Sequence, residues 1–366
     1  MRMIPLVVLA MLISSNLVAQ TTPPPSSVDP KKPTMPEPPK EFNGENLDQW
    51  IKKLSSKDAS ARDAALKVIP AFGEPAKKAV KDMVPLINDY DNTVKVSAML
   101  ILASLQLDEE AMKTQRTAII SRLRGHIETP SGILRLHACM CIARFGPDAA
   151  NCIPALSTAL KDTTSFEIRK AAAQALGAVG MAETLDKGPS IVAISALTNQ
   201  LGDSAIAVRV EVLQALVVLG PPIDAKVSAE LQRVLLSRLK AENEKALQIW
   251  LRVCLMRLDP SLLTEENITF ISKLLKDPKL RIAAAEALGY MGKAVKSRLF
   301  DLVEGLKSDK PEDLPFVAMC LSAIAGMGTD AKPAIPDLER LAAHKDEFIK
   351  ANAKQALEYV TGKKKL

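Results

Sequence analysis

A phrase of thirteen residues returns along this chain with a fixed internal spacing. Ile168-Arg169-Lys170-Ala171-Ala172-Ala173-Gln174-Ala175-Leu176-Gly177-Ala178-Val179-Gly180 comes back as Leu280-Arg281-Ile282-Ala283-Ala284-Ala285-Glu286-Ala287-Leu288-Gly289-Tyr290-Met291-Gly292. Its closing glycine, or a stand-in, falls at Gly73, Asp108, Gly146, Gly180, Gly220, Asp259, Gly292, Gly328 and Thr361, at intervals of 33 to 40 residues. A repeat of that period predicts a stack of two-helix units, each unable to bury its apolar face alone. The expected fold class is therefore all-α: a right-handed α-solenoid of about nine two-helix repeats. A stack contacting only its neighbours also explains how 366 residues can form one body rather than two or three domains.

Within each unit the plan repeats. A first helix reads like Ile153-Pro154-Ala155-Leu156, and Pro85, Pro154 and Pro336 fall in its first turn, where a missing N–H costs nothing. A polar turn follows, as in Lys161-Asp162-Thr163 or Lys276-Asp277-Pro278. The second helix ends at the glycine, which suits a left-handed cap. Positions 12, 8, 5, 4 and 1 before the end are apolar or small. In one unit these are Ile168, Ala172, Ala175, Leu176 and Val179, a single helical face. The helical region starts at Asn46, an N-cap for Leu47 onward. Small residues on the packed faces and terminal caps such as Trp50 predict a monomer.

The pattern resembles the HEAT repeat, in the short form named after phycobilisome lyase subunits. The phrase above and Ala331-Lys332-Pro333-Ala334-Ile335-Pro336-Asp337-Leu338 carry the resemblance, over about Asn46 to Gly362. It implies the α-solenoid fold. It implies little about function, since such repeats serve scaffolds, adaptors and a few enzymes. The HEAT-like iron hydroxylases use His-Glu pairs, and this chain has none.

Four segments divide the chain. Residues 1–19 read as a signal peptide: Arg2, an apolar stretch from Ile4 to Ile13, then Leu17-Val18-Ala19. Export to the periplasm or the exterior is the expectation, with an N-terminal membrane anchor the alternative if the leader stays. Residues 20–43 are a Pro-rich linker carrying Pro23, Pro24, Pro25, Pro30, Pro33, Pro36, Pro38 and Pro39. Residues 44–362 form the repeats, and 363–366 a basic tail. No other segment is expected to span a membrane.

Chemistry is sparse. His126, His137 and His344 make no H-E-x-x-H helix, and no paired-cysteine zinc motif or phosphate-cradling glycine loop is present. His126, His137, Cys139, Cys141 and Cys152 share one unit, but a metal site there would need several faces to converge. The expectation is no metal, no cofactor and no catalytic residue. Cys141 and Cys254 occupy a slot held elsewhere by Ala175, Ala215 and Ala287 and, like Cys320, read as small buried hydrophobes. Cys152 with Cys139 or Cys141 is the pairing left open. A net charge of +6 over this length, with both signs interleaved, disfavours nucleic acid.

Two rows stand out. Arg62, Arg135, Arg169, Arg209 and Arg281 lie eleven residues before the closing residue, and Lys350 takes that slot in the last unit. Asp58, Asp277 and Asp346, four residues earlier, are the expected partners of a structural ladder. The second row lies 10, 6 and 2 residues before the end, on the surface away from the helix's own core face. Outer units keep it polar, with Asp63, Lys67 and Gln355. Middle units offer Leu136 and Met140, Val210 and Val218, Ile249, Val253 and the adjacent Trp250, then Ile282 and Tyr290. These are the candidate concave surface for a protein or peptide partner, with Trp250 the expected anchor. The expected function is an exported, non-enzymatic scaffold. The alternatives are an accessory, lyase-like enzyme subunit and, less favoured, a nucleic-acid-binding protein.

Overall fold

The computed structural model describes residues 39–105, 107, 113–182 and 187–364. The leader and most of the Pro-rich segment lie outside the described residues, as does Asp108. The described residues fall into two compact units, 39–222 and 223–364. Both are helical throughout, apart from a two-residue ribbon, β1 (Glu41–Phe42) and β2 (Glu45–Asn46).

In residues 39–222 the helices are α1 (Leu47–Lys53), α2 (Ala59–Val68), α3 (Val80–Met83), α4 (Asn92–Ser104), α5 (Lys113–Ile127), α6 (Gly132–Ile142), α7 (Ile153–Ala159), α8 (Phe166–Val179), α9 (Ile191–Asn199) and α10 (Ile206–Leu219). Residues 223–364 hold α11 (Ala225–Ala241), α12 (Lys245–Leu258), α13 (Glu265–Lys273), α14 (Arg281–Met291), α15 (Leu299–Gly305), α16 (Leu314–Met327), α17 (Ile335–Ala342) and α18 (Glu347–Val360). Taken in sequence these make five pairs and then four, the solenoid pattern expected from the period. Second helices of successive pairs pack side by side: α2, α4, α6, α8 and α10 in the first unit, α12, α14, α16 and α18 in the second.

Local chemistry sets these elements. Asn46 caps α1 with a reciprocal capping box to Gln49. Pro154 and Pro336 sit in the first turns of α7 and α17. The closing glycines do terminate second helices, but not in the left-handed helical well. Gly73, Gly146, Gly220, Gly292 and Gly328 have positive φ with ψ between −126° and −176°. That region is open essentially to glycine alone, whereas a left-handed cap would also admit asparagine. At all of these but Gly220 the chain swings into a 3₁₀ turn that feeds the next first helix. Gly180 departs from the set with φ −81°. There a side chain would meet the Ala193 Cβ at 2.8 Å.

The unit predicted to close at Asp108 runs two residues earlier. Val94, Ala98 and Leu102 are the fully buried face of α4, which puts Lys95 in the ladder slot and Val96 and Leu100 in the outward row. Pro311–Ala342 is long and apolar enough to match a membrane span by composition. It is broken at Gly328 and Ala331 into α16 and α17, and α16 is a core helix with nine buried residues. All five cysteines are buried free thiols, and no disulfide links them. Burial pushes the Cys139, Cys141 and Cys254 thiols up to about 12 and Cys152 to about 11.

Candidate functional site

The arginine slot forms a ladder, with partners other than those expected. Arg62 on α2 donates from Nε and Nη2 to both carboxylate oxygens of Asp89, at 2.8 and 2.6 Å, and from Nη1 to the Ser56 carbonyl at 2.8 Å. Arg135 on α6 reaches Asp162 and the Thr129 carbonyl. Arg169 on α8 forks onto Asp203 at 2.7 and 2.9 Å and donates to the Asp162 carbonyl at 3.0 Å. Arg209 on α10 donates to the Asp203 carbonyl at 2.8 Å. In the second unit Arg281 reaches Asp313 at 2.5 Å, and Lys350 pairs with Glu347 at 2.9 Å. Arg62, Arg135, Arg169 and Arg209 thus bind the turn before their own helix, and Arg62, Arg135, Arg169 and Arg281 the carboxylate of the following turn.

Asp58, Asp277 and Asp346 are not the ladder's acids. Asp58 and Asp346 cap helix starts, accepting from the N–H groups of Ser60 and Ile349 at 3.0 Å each, and Asp277 accepts from the Lys279 N–H at 2.9 Å in the turn before α14. The guanidinium fork is filled instead by the acid of the following turn, which accepts from its own backbone as well, as Asp162 does from the Thr164 N–H and Asp203 from the Ala205 N–H. Burial acts to raise the Asp162 and Asp203 carboxyls, but the hydrogen bonds to their charged forms outweigh it. Asp162 is held below its ordinary value by Thr164, Ser165 and Arg135. Asp203 is held down at about 2 by Arg169, the Ala205 N–H and Gln200.

The apolar row is not one accessible surface. Ile249, Trp250 and Val253 on α12 are fully buried, and Tyr290 on α14 is 8% exposed. Trp250 packs edge-on against Tyr290, ring centroids 5.9 Å apart, so the expected anchor is a core residue. The cause is the composition of α12: buried side chains at Leu247, Ile249, Trp250, Leu251, Val253, Cys254, Leu255 and Met256 cover its whole circumference, and a helix apolar all round is covered all round. Ile282 on α14 stays open at 41%.

In residues 39–222 the row does face outward. Met140 is 42% exposed, and Leu136, Val210 and Val218 are half-buried. The corrected register of α4 adds Val96, half-buried, and Leu100, 42% exposed, in the same slots on the helix packed against α6. Polar groups flank this stretch. On α2, Asp63 accepts from Ser97 Oγ at 2.5 Å and from Lys67 at 2.6 Å. On α8, Lys170 and Gln174 take the slots and are exposed. Val96, Leu100, Leu136 and Met140 therefore form an apolar patch with polar neighbours on both sides. Among the described residues, no group of three or more His, Cys, Asp or Glu is placed to hold a metal ion.

The family model for HEAT repeats matches residues 117–187, so the resemblance read from the recurring phrase holds over that span. No curated protein matches the sequence. Among solved structures, an engineered protein is similar at 19% identity and a TM-score of 0.43, over 86% of this chain and 88% of its own. The karyopherin Kap121p bound to Nup53p, and Kap121p bound to the extreme C-terminus of the protein phosphatase Cdc14p, are each similar at 12% identity and a TM-score of 0.45, over 86% of this chain. The alignment spans 37% of the length of each karyopherin.

Proposed function

From the premise that residues 117–187 are HEAT repeats, we propose that this chain is a scaffold without catalytic chemistry of its own, binding a protein or peptide partner through the patch on α4 and α6. The observation that carries this reading is the pair Leu100 and Met140, each 42% exposed in the same slot of adjacent second helices, where the neighbouring helices α2 and α8 present polar groups. An apolar patch bounded by polar surface loses free energy when a partner covers it. Val210 and Val218 on α10, across the polar slots of α8, offer a second apolar contact in the same unit. The scaffold acts outside the cytoplasm, a placement supported by the leader in residues 1–19 and the Pro-rich spacer that follows. It acts as a monomer and does not engage nucleic acid, in keeping with its mild, interleaved charge.

The test is cross-linked capture from envelope and secreted fractions, comparing the mature chain with a Leu100→Lys/Met140→Lys variant of equal helicity. A protein retained by the first and lost by the second is the expected result. The same proteins retained by both would remove the patch from the function.

A further inference from the structure

A separate cleft of about 520 Å³ opens between α12 and α13, in residues 223–364. Its floor is a stacked pair: the Arg252 guanidinium lies over the Phe270 ring, 3.9 Å from its centroid. Stacking fixes the plane of the fork. Yet the fork is poorly occupied. Nη1 reaches only the Gln248 carbonyl and side-chain oxygen, both at 3.4 Å, and Nε is buried with no acceptor. The ladder arginines each have a carboxylate or carbonyl acceptor within 2.8 Å, although Nε of Arg209 and Arg281 is likewise buried without one. Among the described residues no carboxylate comes within ion-pair distance of Arg252, although Glu266 in the cleft wall acts on it through space.

The wall has a direction. Helices α12 and α13 run antiparallel, and Arg252 and Phe270 lie six and five residues from the ends facing the connection. Lys245 and Lys273 lie on the far side of that pair, while Glu265 and Glu266 lie toward the connection. Arg298 already pairs with Glu265. Three cations thus face one carboxylate, Glu266, which among the described residues forms no ion pair. Phe270 and Leu274 supply apolar wall beside them.

We propose that this cleft binds an extended acidic peptide segment, one carboxylate held by the Arg252 fork and a neighbouring apolar side chain lying on Phe270 and Leu274. A fixed planar fork matches a carboxylate bidentately. The two wall glutamates make a doubly charged phosphate the poorer occupant. The site shares no residue with the patch on α4 and α6 and does not rest on it.

The experiment uses the mature chain, immobilised, and acetylated hexapeptide pools with random flanks and one fixed central residue: Glu, Gln, Lys or phosphoserine. The expected result is retention of the Glu pool about tenfold above the Gln pool, abolished in Arg252→Gln, lowered in Arg252→Lys and unchanged in Leu100→Lys/Met140→Lys. Should Arg252→Gln unfold, Lys245→Ala/Lys273→Ala, both at exposed positions, lowers retention of the Glu pool by the same logic. Equal retention of the Glu and Gln pools overturns the proposal. Preference for the phosphoserine pool overturns the carboxylate assignment. Loss in the Leu100→Lys/Met140→Lys variant alone moves peptide binding to the other patch and overturns the cleft.

Discussion

Glu211 on α10 is an acid placed where a second helix packs, 9% exposed. Burial pushes its carboxyl up to about 7, against a partial pull downward from Lys170 on α8. The folded chain therefore holds this proton more tightly than the unfolded chain, whose glutamate titrates near 4.5. Between those values the folded state binds more protons, so its stability falls as pH rises. The penalty is absent below about pH 4.5 and complete above about pH 7. A rise of roughly 2.5 units corresponds to about 3 kcal/mol.

Glu211→Gln removes the titration and keeps the shape. A buried amide carries its own desolvation cost, but that cost does not change with pH. The slope is thus the quantity to read. Urea unfolding followed by circular dichroism, at about pH 4, 5.5, 7 and 8, should show the variant gaining up to about 3 kcal/mol on the parent across the range. Lys170→Met should move the parent's loss to higher pH and leave the slope of the Glu211→Gln background unchanged. A stability difference between parent and Glu211→Gln that is flat across pH refutes the reasoning, because it would mean the carboxylate is solvated in the folded state.

Two further substitutions test the packing. Gly177 on α8 is a contact point with α10: an added Cβ would lie 2.9 Å from the Ala215 Cα. Gly177→Ala should therefore destabilise by about 1–3 kcal/mol in urea unfolding, exceeding the helix-propensity gain of about 1 kcal/mol; a stabilised variant would show that α8 and α10 approach less closely. Arg169→Met strips the Asp203 carboxylate, whose side chain is 3% exposed, of both guanidinium bonds and should cost about 2–3 kcal/mol. Asp203 is held down at about 2, so its bonds stabilise the fold above the unfolded value of 3.8 and are lost as pH falls through about 2. The variant's deficit should shrink over that acid range, and a deficit independent of pH would assign the loss to the arginine stem alone.

The legible part of this fold was the part specified locally. The period, the Asn46 cap, Pro154 and Pro336 in first turns and the closing glycines each depend on a few neighbouring residues, and the structure has them, whereas Pro85 falls in a 3₁₀ stretch after α3. Ladder arginines were visible as a register, but their acids were not. Asp89, Asp162, Asp203 and Asp313 sit 27, 27, 34 and 32 residues beyond the arginines that hold them, because the pairing runs between units whose turns vary in length. Three other aspartates at a constant spacing looked better and proved to be two caps and a turn residue. The row on α12 failed for a different reason: sequence shows that Ile249, Trp250 and Val253 are apolar and in register, not whether something covers them. The all-round apolar character of α12 was the available signal. On α4 an acidic stand-in fixed the end two residues late, and Val96 and Leu100 were missed with it.

The ladder and the outward row occupy adjacent slots on the same helices, eleven and ten residues before the end. That adjacency has a mechanical consequence within residues 39–222. A guanidinium bound both to its own turn and to the next one fixes the rotation of the helix that carries it, as Arg135 does for α6 and Arg169 for α8. The residue one step on, Leu136 or Lys170, is then held at a set angle, and the residue four further on, Met140 or Gln174, points the same way. Side chains presented from pinned helices lose little freedom when a partner covers them, so more of the burial free energy appears as affinity. On this reasoning the polar ladder sets how firmly the apolar patch is offered. Weakening Arg135 should then loosen partner retention through Met140 before it unfolds the unit.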